Sequence, residues 1–102
     1  MKRDEVIATL RAHEPELRAA GVVRLSLFGS VARDEEQPES DVDVVVGLTE
    51  EASRGGFAYF GLLDALTNRL RDILGGPVDV VAEPVQKDRL RRAIEKEGMR
   101  AF

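Results

Sequence analysis

Hydrophobic residues recur every three to four positions in three stretches of the chain, and this spacing is typical of amphipathic helices. The first stretch covers residues 3–20, and the second covers residues 57–74. Gly75 and the Gly-Pro pair that follows it predict a firm end for this second helix. A last helix is predicted over residues 86–97.

Strands are predicted where apolar residues alternate with polar ones or form short continuous runs. Three segments meet this description, residues 22–28, 41–46 and 78–82. The polar segment 33–40 is expected to be a loop, and residues 47–56 are expected to be a flexible connection. The element order α-β-turn-β-α-β-α predicts an α/β (α+β) fold, in which helices flank a small mixed β-sheet of three or more strands.

Two aspartates interrupt the apolar pattern of the second strand. Strand side chains alternate, so Asp41 and Asp43 are expected on one face with Cα atoms about 6.6–6.8 Å apart. Val45 shares that face and needs cover of its own, whereas Val44 points the other way. Asp79 stands in the third strand, and three carboxylates converge if that strand pairs with the second.

The repulsion within such a group of carboxylates must be reduced by protonation or by bound cations. Two unit charges ~6 Å apart repel by about 2.8 kcal/mol at an effective dielectric constant of 20. The carboxylates should therefore show raised pKa values or bind cations. Oxygen ligands suit magnesium or manganese, and two such ions can activate an attacking oxygen and stabilise a leaving pyrophosphate. Taken singly, Asp41 could instead cap the strand and Asp79 could be an edge-strand charge.

A glycine-serine turn precedes the two aspartates. Gly29 lets the backbone approach a phosphate, and Ser30 can offer its hydroxyl and backbone N–H groups. Arg33 follows the turn and could reach a phosphate or remain solvated. Without the aspartates, an ordinary strand-to-helix turn would be the better interpretation.

Length and composition limit the classes of function. The chain has 102 residues, which predicts one domain over residues 1–102. Its net charge of −4 argues against strong nucleic-acid binding, and the lack of cysteine excludes disulfides. Neither a signal peptide nor an apolar run of membrane-spanning length is found, so a soluble cytoplasmic protein is expected.

The combined motif is Gly29-Ser30, ten further residues, Asp41-x-Asp43, and Asp79 in a later strand. This order resembles the nucleotidyltransferase superfamily related to DNA polymerase beta, and within it the minimal nucleotidyltransferase (MNT) family. The resemblance implies the polymerase beta-like fold over nearly the whole chain. It also implies that Gly29 and Ser30 bind the triphosphate of ATP, that Asp41 and Asp43 hold two Mg²⁺ or Mn²⁺ ions, and that Asp79 completes the catalytic and metal site.

Members of this family are typically antitoxins paired with a HEPN-domain ribonuclease toxin, which they are thought to neutralise by transferring AMP from ATP to a toxin tyrosine. The resemblance therefore implies a metal-dependent protein adenylyltransferase with a HEPN toxin as its partner. One alternative is an antitoxin that inhibits by binding alone. Another is a nucleotidyltransferase acting on a small molecule or RNA, but such enzymes carry further acceptor-binding domains, so a protein partner is expected.

Overall fold

The computed structural model describes residues 2–33 and 41–102 of the chain. Most of the predicted loop 33–40 lies outside these residues. The described elements, in chain order, are α1 (Arg3–Ala12), α2 (Glu14–Ala19), β1 (Val22–Phe28), α3 (Gly29–Ala32), β2 (Val42–Leu48), α4 (Glu50–Ser53), α5 (Phe57–Leu74), β3 (Val78–Ala82), α6 (Asp88–Glu97) and β4 (Met99–Arg100). Predictions for β1, α5 and β3 are confirmed at both ends, and those for β2 and α6 within two residues.

The prediction of one continuous helix over residues 3–20 is wrong. The chain turns at His13, whose backbone leaves the helical region, and α2 begins immediately afterwards. Pro15 explains the break, because a proline inside a helix removes a backbone donor and clashes with the preceding turn. At the start of α2 neither penalty applies, since the first helical N–H groups have no partner within the helix.

The segment predicted as a flexible connection is also structured. Gly47 and Leu48 extend β2, and α4 follows them. The hydroxyl of Thr49 caps α4 by accepting a hydrogen bond of 3.2 Å from the backbone N–H of Ala52. The two-residue strand β4 was not predicted, because a pair of residues carries no alternating pattern.

The four strands form one mixed sheet in the order β3-β2-β1-β4. β1 pairs antiparallel with β2 and with β4, whereas β2 and β3 are parallel. The register places Asp43 directly opposite Phe28 on one side and Asp79 on the other. The predicted fold class is confirmed. The second and third strands also pair with each other, which is the condition for bringing the carboxylates together.

One face of the sheet, here called the packed face, carries the hydrophobic core. Helices α1, α2 and α5 supply apolar side chains to it. The buried residues of this core are Val6, Ile7, Leu10, Leu17, Val22, Leu25, Leu27, Val31, Ala32, Val42, Val44, Val46, Leu66, Leu70, Val78 and Ala101. No helix among the described residues is long and apolar enough to cross a membrane.

The other face, here called the open face, carries Asp43, Val45 and Asp79. Val45 is only 3% exposed although it is not part of the core, so the separate cover expected for it exists. Helix α6 provides part of this cover, since Ile94 lines a cavity together with Val45. Helix α6 therefore covers part of the open face next to the carboxylates.

Candidate active site

Parallel pairing of β2 and β3 sets the positions of the central carboxylates. Asp43 and Asp79 are register partners, and partners in adjacent strands project from the same face of the sheet. Asp43 is partly buried, whereas the side chain of Asp79 is exposed. Asp41 is exposed and lies immediately before β2. The structure thus brings Asp43 and Asp79 together and places Asp41 two residues away at the mouth of the site.

The electrostatic environment of Asp43 shows that the site is short of positive charge. Burial raises the pKa of the Asp43 carboxyl, and the negative charges of Asp79 and Asp41 raise it further. Arg33 acts in the opposite direction and lowers the pKa. Because the net shift is upward, one guanidinium does not offset burial and two neighbouring carboxylates, and additional cations would bind favourably here.

Gly29 is needed for the shape of this site. Its φ is +76°, a backbone conformation in which L side chains are strained. A Cβ on Gly29 would also collide with Oδ2 of Asp43, because the preceding residue, Phe28, pairs with Asp43 across the strands. Glycine therefore lets the backbone of the turn pass directly beside the carboxylate. Ser30 follows as the second residue of α3 and is partly buried.

Arg33 lies just after α3 and forms an ion pair with Glu97 of α6, with Nη1 and Oε2 2.9 Å apart. This contact joins the turn that follows β1 to the end of α6. A phosphate bound by Arg33 would share the guanidinium with Glu97. Sequence reasoning did not identify Glu97, because nothing in a charged helix end marks one carboxylate as the partner of a residue 64 positions earlier.

The donor set fits a magnesium ion that is shared with a phosphate. Among residues 2–33 and 41–102, no three His, Cys, Asp or Glu side chains come together as a group able to hold a metal ion by themselves. Magnesium is usually bound through one or two carboxylates together with waters and substrate phosphates. Asp43 and Asp79, with Asp41 beside them, offer oxygen ligands of this kind. The negative charges that raise the pKa of Asp43 also favour a bound cation.

Comparison with known proteins places this geometry in a family. The nucleotidyltransferase domain family matches residues 10–101. A Methanocaldococcus jannaschii protein, MJ0435, provisionally named a protein adenylyltransferase, is 39% identical over 82 residues, which cover 74% of this chain and 80% of that protein. The Thermococcus cleftensis protein adenylyltransferase MntA is 33% identical over 95 residues, or 92% of this chain and 90% of its own.

Solved structures agree with this placement. A structure described provisionally as a minimal nucleotidyltransferase superimposes with a TM-score of 0.72 at 31% identity, covering 97% of this chain and 95% of the other. A complex of an AMPylated Shewanella oneidensis HEPN toxin with its MNT antitoxin shares the fold, with a TM-score of 0.55 at 20% identity over 98% of this chain and 68% of the matched chain. The chain therefore belongs to the nucleotidyltransferase domain family, as its glycine turn and its opposed aspartates indicated.

Proposed function

We propose that the protein transfers AMP from ATP to a hydroxyl of a protein partner, a tyrosine of a HEPN-domain toxin. The observation that carries this proposal is the arrangement of Gly29, Asp43 and Asp79, in which a glycine turn passes beside two opposed carboxylates. Two relatives carry the name protein adenylyltransferase, and one structure of the same fold contains an AMPylated HEPN toxin. These names support ATP as the donor of the AMP group and a protein as its acceptor.

The turn after β1 would hold the triphosphate. Gly29 lacks a Cβ and leaves its backbone accessible beside Asp43, while the hydroxyl and backbone N–H of Ser30 are suited to donate to phosphate oxygens. Arg33 influences Asp43 electrostatically and would add a positive charge to the phosphate-binding region. In this assignment Glu97 orients Arg33 through their ion pair.

The carboxylates would hold the metal ions together with the phosphates. Asp41 and Asp43 would bind two Mg²⁺ or Mn²⁺ ions, and Asp79 would complete the site. Ions bound there would neutralise the charge that develops on the phosphates during transfer. The upward pKa shift of Asp43 fits this role, because the same crowding of negative charge that favours protonation also favours a divalent cation.

In the transfer step, the hydroxyl oxygen of the acceptor attacks the α-phosphorus of ATP and forms a new phosphoester bond. The bond between the α-phosphorus and the bridging oxygen breaks, and pyrophosphate leaves with the electron pair. The proton of the acceptor hydroxyl passes to a carboxylate or to water. Asp79 is the best-placed carboxylate, because its exposed side chain stands opposite Asp43 and is reachable from outside the site.

The proposal is tested by mixing the protein with α-labelled ATP, magnesium and a HEPN-domain toxin. We expect labelled AMP on a toxin tyrosine, and a loss of at least about 100-fold when Asp43 is changed to Asn, which is the scale of removing one electrostatic stabiliser. Asp64→Asn, on the exposed surface of α5, serves as the control. If Asp41→Asn and Asp43→Asn still neutralise the toxin fully, inhibition depends on binding alone and the catalytic proposal is wrong.

A further inference from the structure

Strand β3 forms one edge of the sheet, and its outer side is unpaired. Its inner side pairs with β2, and a hydrogen bond of 2.9 Å from the Glu83 N–H to the Val46 C=O ends this ladder. Because successive residues of a strand direct their backbone groups to opposite sides, the residues that face away from β2 are Val78, Val80 and Ala82. Within residues 2–33 and 41–102, no hydrogen bond uses their N–H or C=O groups.

The two edges of the sheet differ in how they are protected against pairing with another chain. Proteins usually protect an edge strand by making it short or bulged, or by placing lysine or proline in it. The other edge, β4, has only two residues and carries Arg100. β3 has five residues in continuous register, contains neither lysine nor proline, and has Asp79 as its only charge. The outer side of β3 is therefore suited to accept a further strand beside the carboxylates.

We propose that an extended segment of the acceptor protein pairs antiparallel with the outer side of β3, an inference that rests on the proposed function. Val78, Val80 and Ala82 each offer one backbone donor and one backbone acceptor to such a segment. Proteins commonly bind extended peptides by adding a strand to a sheet edge, and main-chain hydrogen bonds supply the affinity. Antiparallel pairing is slightly more stable per residue than parallel pairing.

Asp79 sets the register of the added segment. Its backbone faces β2, so it forms a non-hydrogen-bonded pair with the acceptor residue opposite, with Cα atoms about 4.5 Å apart. Paired residues project from the same face, so the acceptor side chain projects from the open face. Asp43 lies one strand further, with its Cα about 9 Å from that of the acceptor residue. A tyrosine is long enough to bring its hydroxyl over the two carboxylates, whereas a serine hydroxyl stays close to its own backbone.

The residues on either side of that tyrosine would lie opposite Val78 and Val80. Both valines project from the packed face, where Val78 is buried in the core and Val80 packs against it while remaining partly exposed. An apolar side chain opposite them would cover the exposed part of Val80, whereas a charged one would lose water against an apolar surface. The edge therefore selects a tyrosine with an apolar residue on each side.

A short synthetic peptide with valine on both sides of a central tyrosine tests this pairing. Without ATP, the peptide should slow hydrogen exchange of the Val78, Val80 and Ala82 amides at least about tenfold. The amides of Asp79 and Val81 already face β2 and should change little. With magnesium and α-labelled ATP, the peptide should accept AMP at least about tenfold faster than the same peptide carrying N-methyl groups on its two valine amides, which would donate to β3.

Val80→Pro makes the matching change in the protein. It removes one outward N–H and leaves the bonds to β2 in place, since proline is tolerated on an edge strand where its nitrogen faces outward. AMP transfer to the valine-flanked peptide should fall at least about tenfold. Arg100→Pro is the control on the other edge, where the neighbouring Ala101 donates to Leu25 of β1 and the Arg100 N–H faces outward; it should transfer AMP as the wild type does.

The N-methylated peptide keeps the test decisive if Val80→Pro folds poorly. Equal transfer to the two peptides, or no exchange protection at Val78, Val80 and Ala82, would overturn the edge assignment alone. Protection of these amides that rises with protein concentration in the absence of peptide would overturn it in favour of a second copy of the chain. Protected edge amides without AMP on any tyrosine would overturn the proposed function and leave the strand pairing standing.

Discussion

The two faces of β2 differ although they belong to one strand of seven residues. On the packed face, Val44 and Val46 are fully buried in the core beneath α1, α2 and α5. On the open face, Asp43 crowds the backbone of Gly29, and Val45 borders a cavity. The packed face is filled by apolar groups, whereas on the open face a charged carboxylate lies next to a cavity.

This difference shows how a small domain combines stability with a reactive site. The core supplies the apolar burial that holds the strands in register. The register then holds Asp43 opposite Asp79, an arrangement that two like charges would not adopt by themselves. Burial on the packed face thus offsets the repulsion between the two carboxylates on the open face. Each of the following changes tests one part of this relation.

The largest effect on the open face is expected from Gly29→Ala. The left-handed backbone costs an L residue roughly 1–2 kcal/mol, and the added Cβ displaces the Asp43 carboxylate, an overpacking that costs about 1–3 kcal/mol more. Urea unfolding should therefore show a loss of about 2–5 kcal/mol.

Gly75→Ala is the matched control, because Gly75 has a nearly equal φ of +74° and its added methyl group would meet no heavy atom of the described residues within 4 Å. It should lose only the backbone part, about 1–2 kcal/mol. Adding Asp43→Ala to Gly29→Ala should bring the loss down to that of the control. Equal losses for Gly29→Ala and Gly75→Ala would show that Asp43 does not crowd the turn.

Neighbouring valines compare the two faces directly. Val44→Ala removes two methyl groups from the close-packed core and should destabilise the protein by roughly 1.5–3 kcal/mol, from lost transfer energy and the void left behind. Val45→Ala should cost about half as much, because Val45 already borders a cavity on one side. Chemical denaturation measures both, and an equal cost would mean that the open face is packed as tightly as the core.

The sequence predicted the elements that carry a long or regular pattern. α5 follows its apolar spacing through eighteen residues, and β1 and β3 follow their alternation. The site residues Gly29, Asp43 and Asp79 could be selected because they break the pattern around them: charges among valines, and a glycine at the end of a strand.

What the sequence could not predict depends on long-range pairing. β4 is too short to show a period and exists only through its pairing with β1. Glu97 meets Arg33, and Glu83 meets Arg24, through the placement of α6 and β3 rather than through local spacing. The cavity lined by Val45 and Ile94 is a gap between elements that are distant in the sequence, and the cover that Val45 requires was its one local sign.

The pH dependence of stability should show how much the ionised Asp43 carboxylate destabilises the fold in metal-free protein. Its folded-state pKa is raised, so between the unfolded value of about 3.9 and the higher folded value the folded state binds more protons than the unfolded state. Stability contributed by protonated Asp43 is therefore complete below pH ~3.9 and is lost as the pH rises through the folded-state pKa.

Asp43→Asn should remove this loss, and at pH 7 in EDTA the variant should be as stable as the wild type or more stable. Adding magnesium and ATP should raise the thermal midpoint of the wild type but not that of the variant. Asp64→Asn, an exposed aspartate on α5, should change neither result. A clear drop in the stability of metal-free Asp43→Asn would contradict the view that Asp43 destabilises the fold.

The smallest effect is expected at the edge of the open face, where Arg24 pairs with Glu83. The Arg24 and Glu83 side chains are 50% and 33% exposed, and ion pairs with this much solvent contribute about 0.2–1 kcal/mol. Arg24→Met keeps most of the apolar stem over Gly47, where the arginine side chain lies close to the strand, and removes only the charge. We expect a loss below about 1 kcal/mol that shrinks in high salt, because solvent ions screen exposed pairs. A loss as large as that of Val44→Ala, insensitive to salt, would mean that the open face is held together by charge rather than carried by the core beneath it.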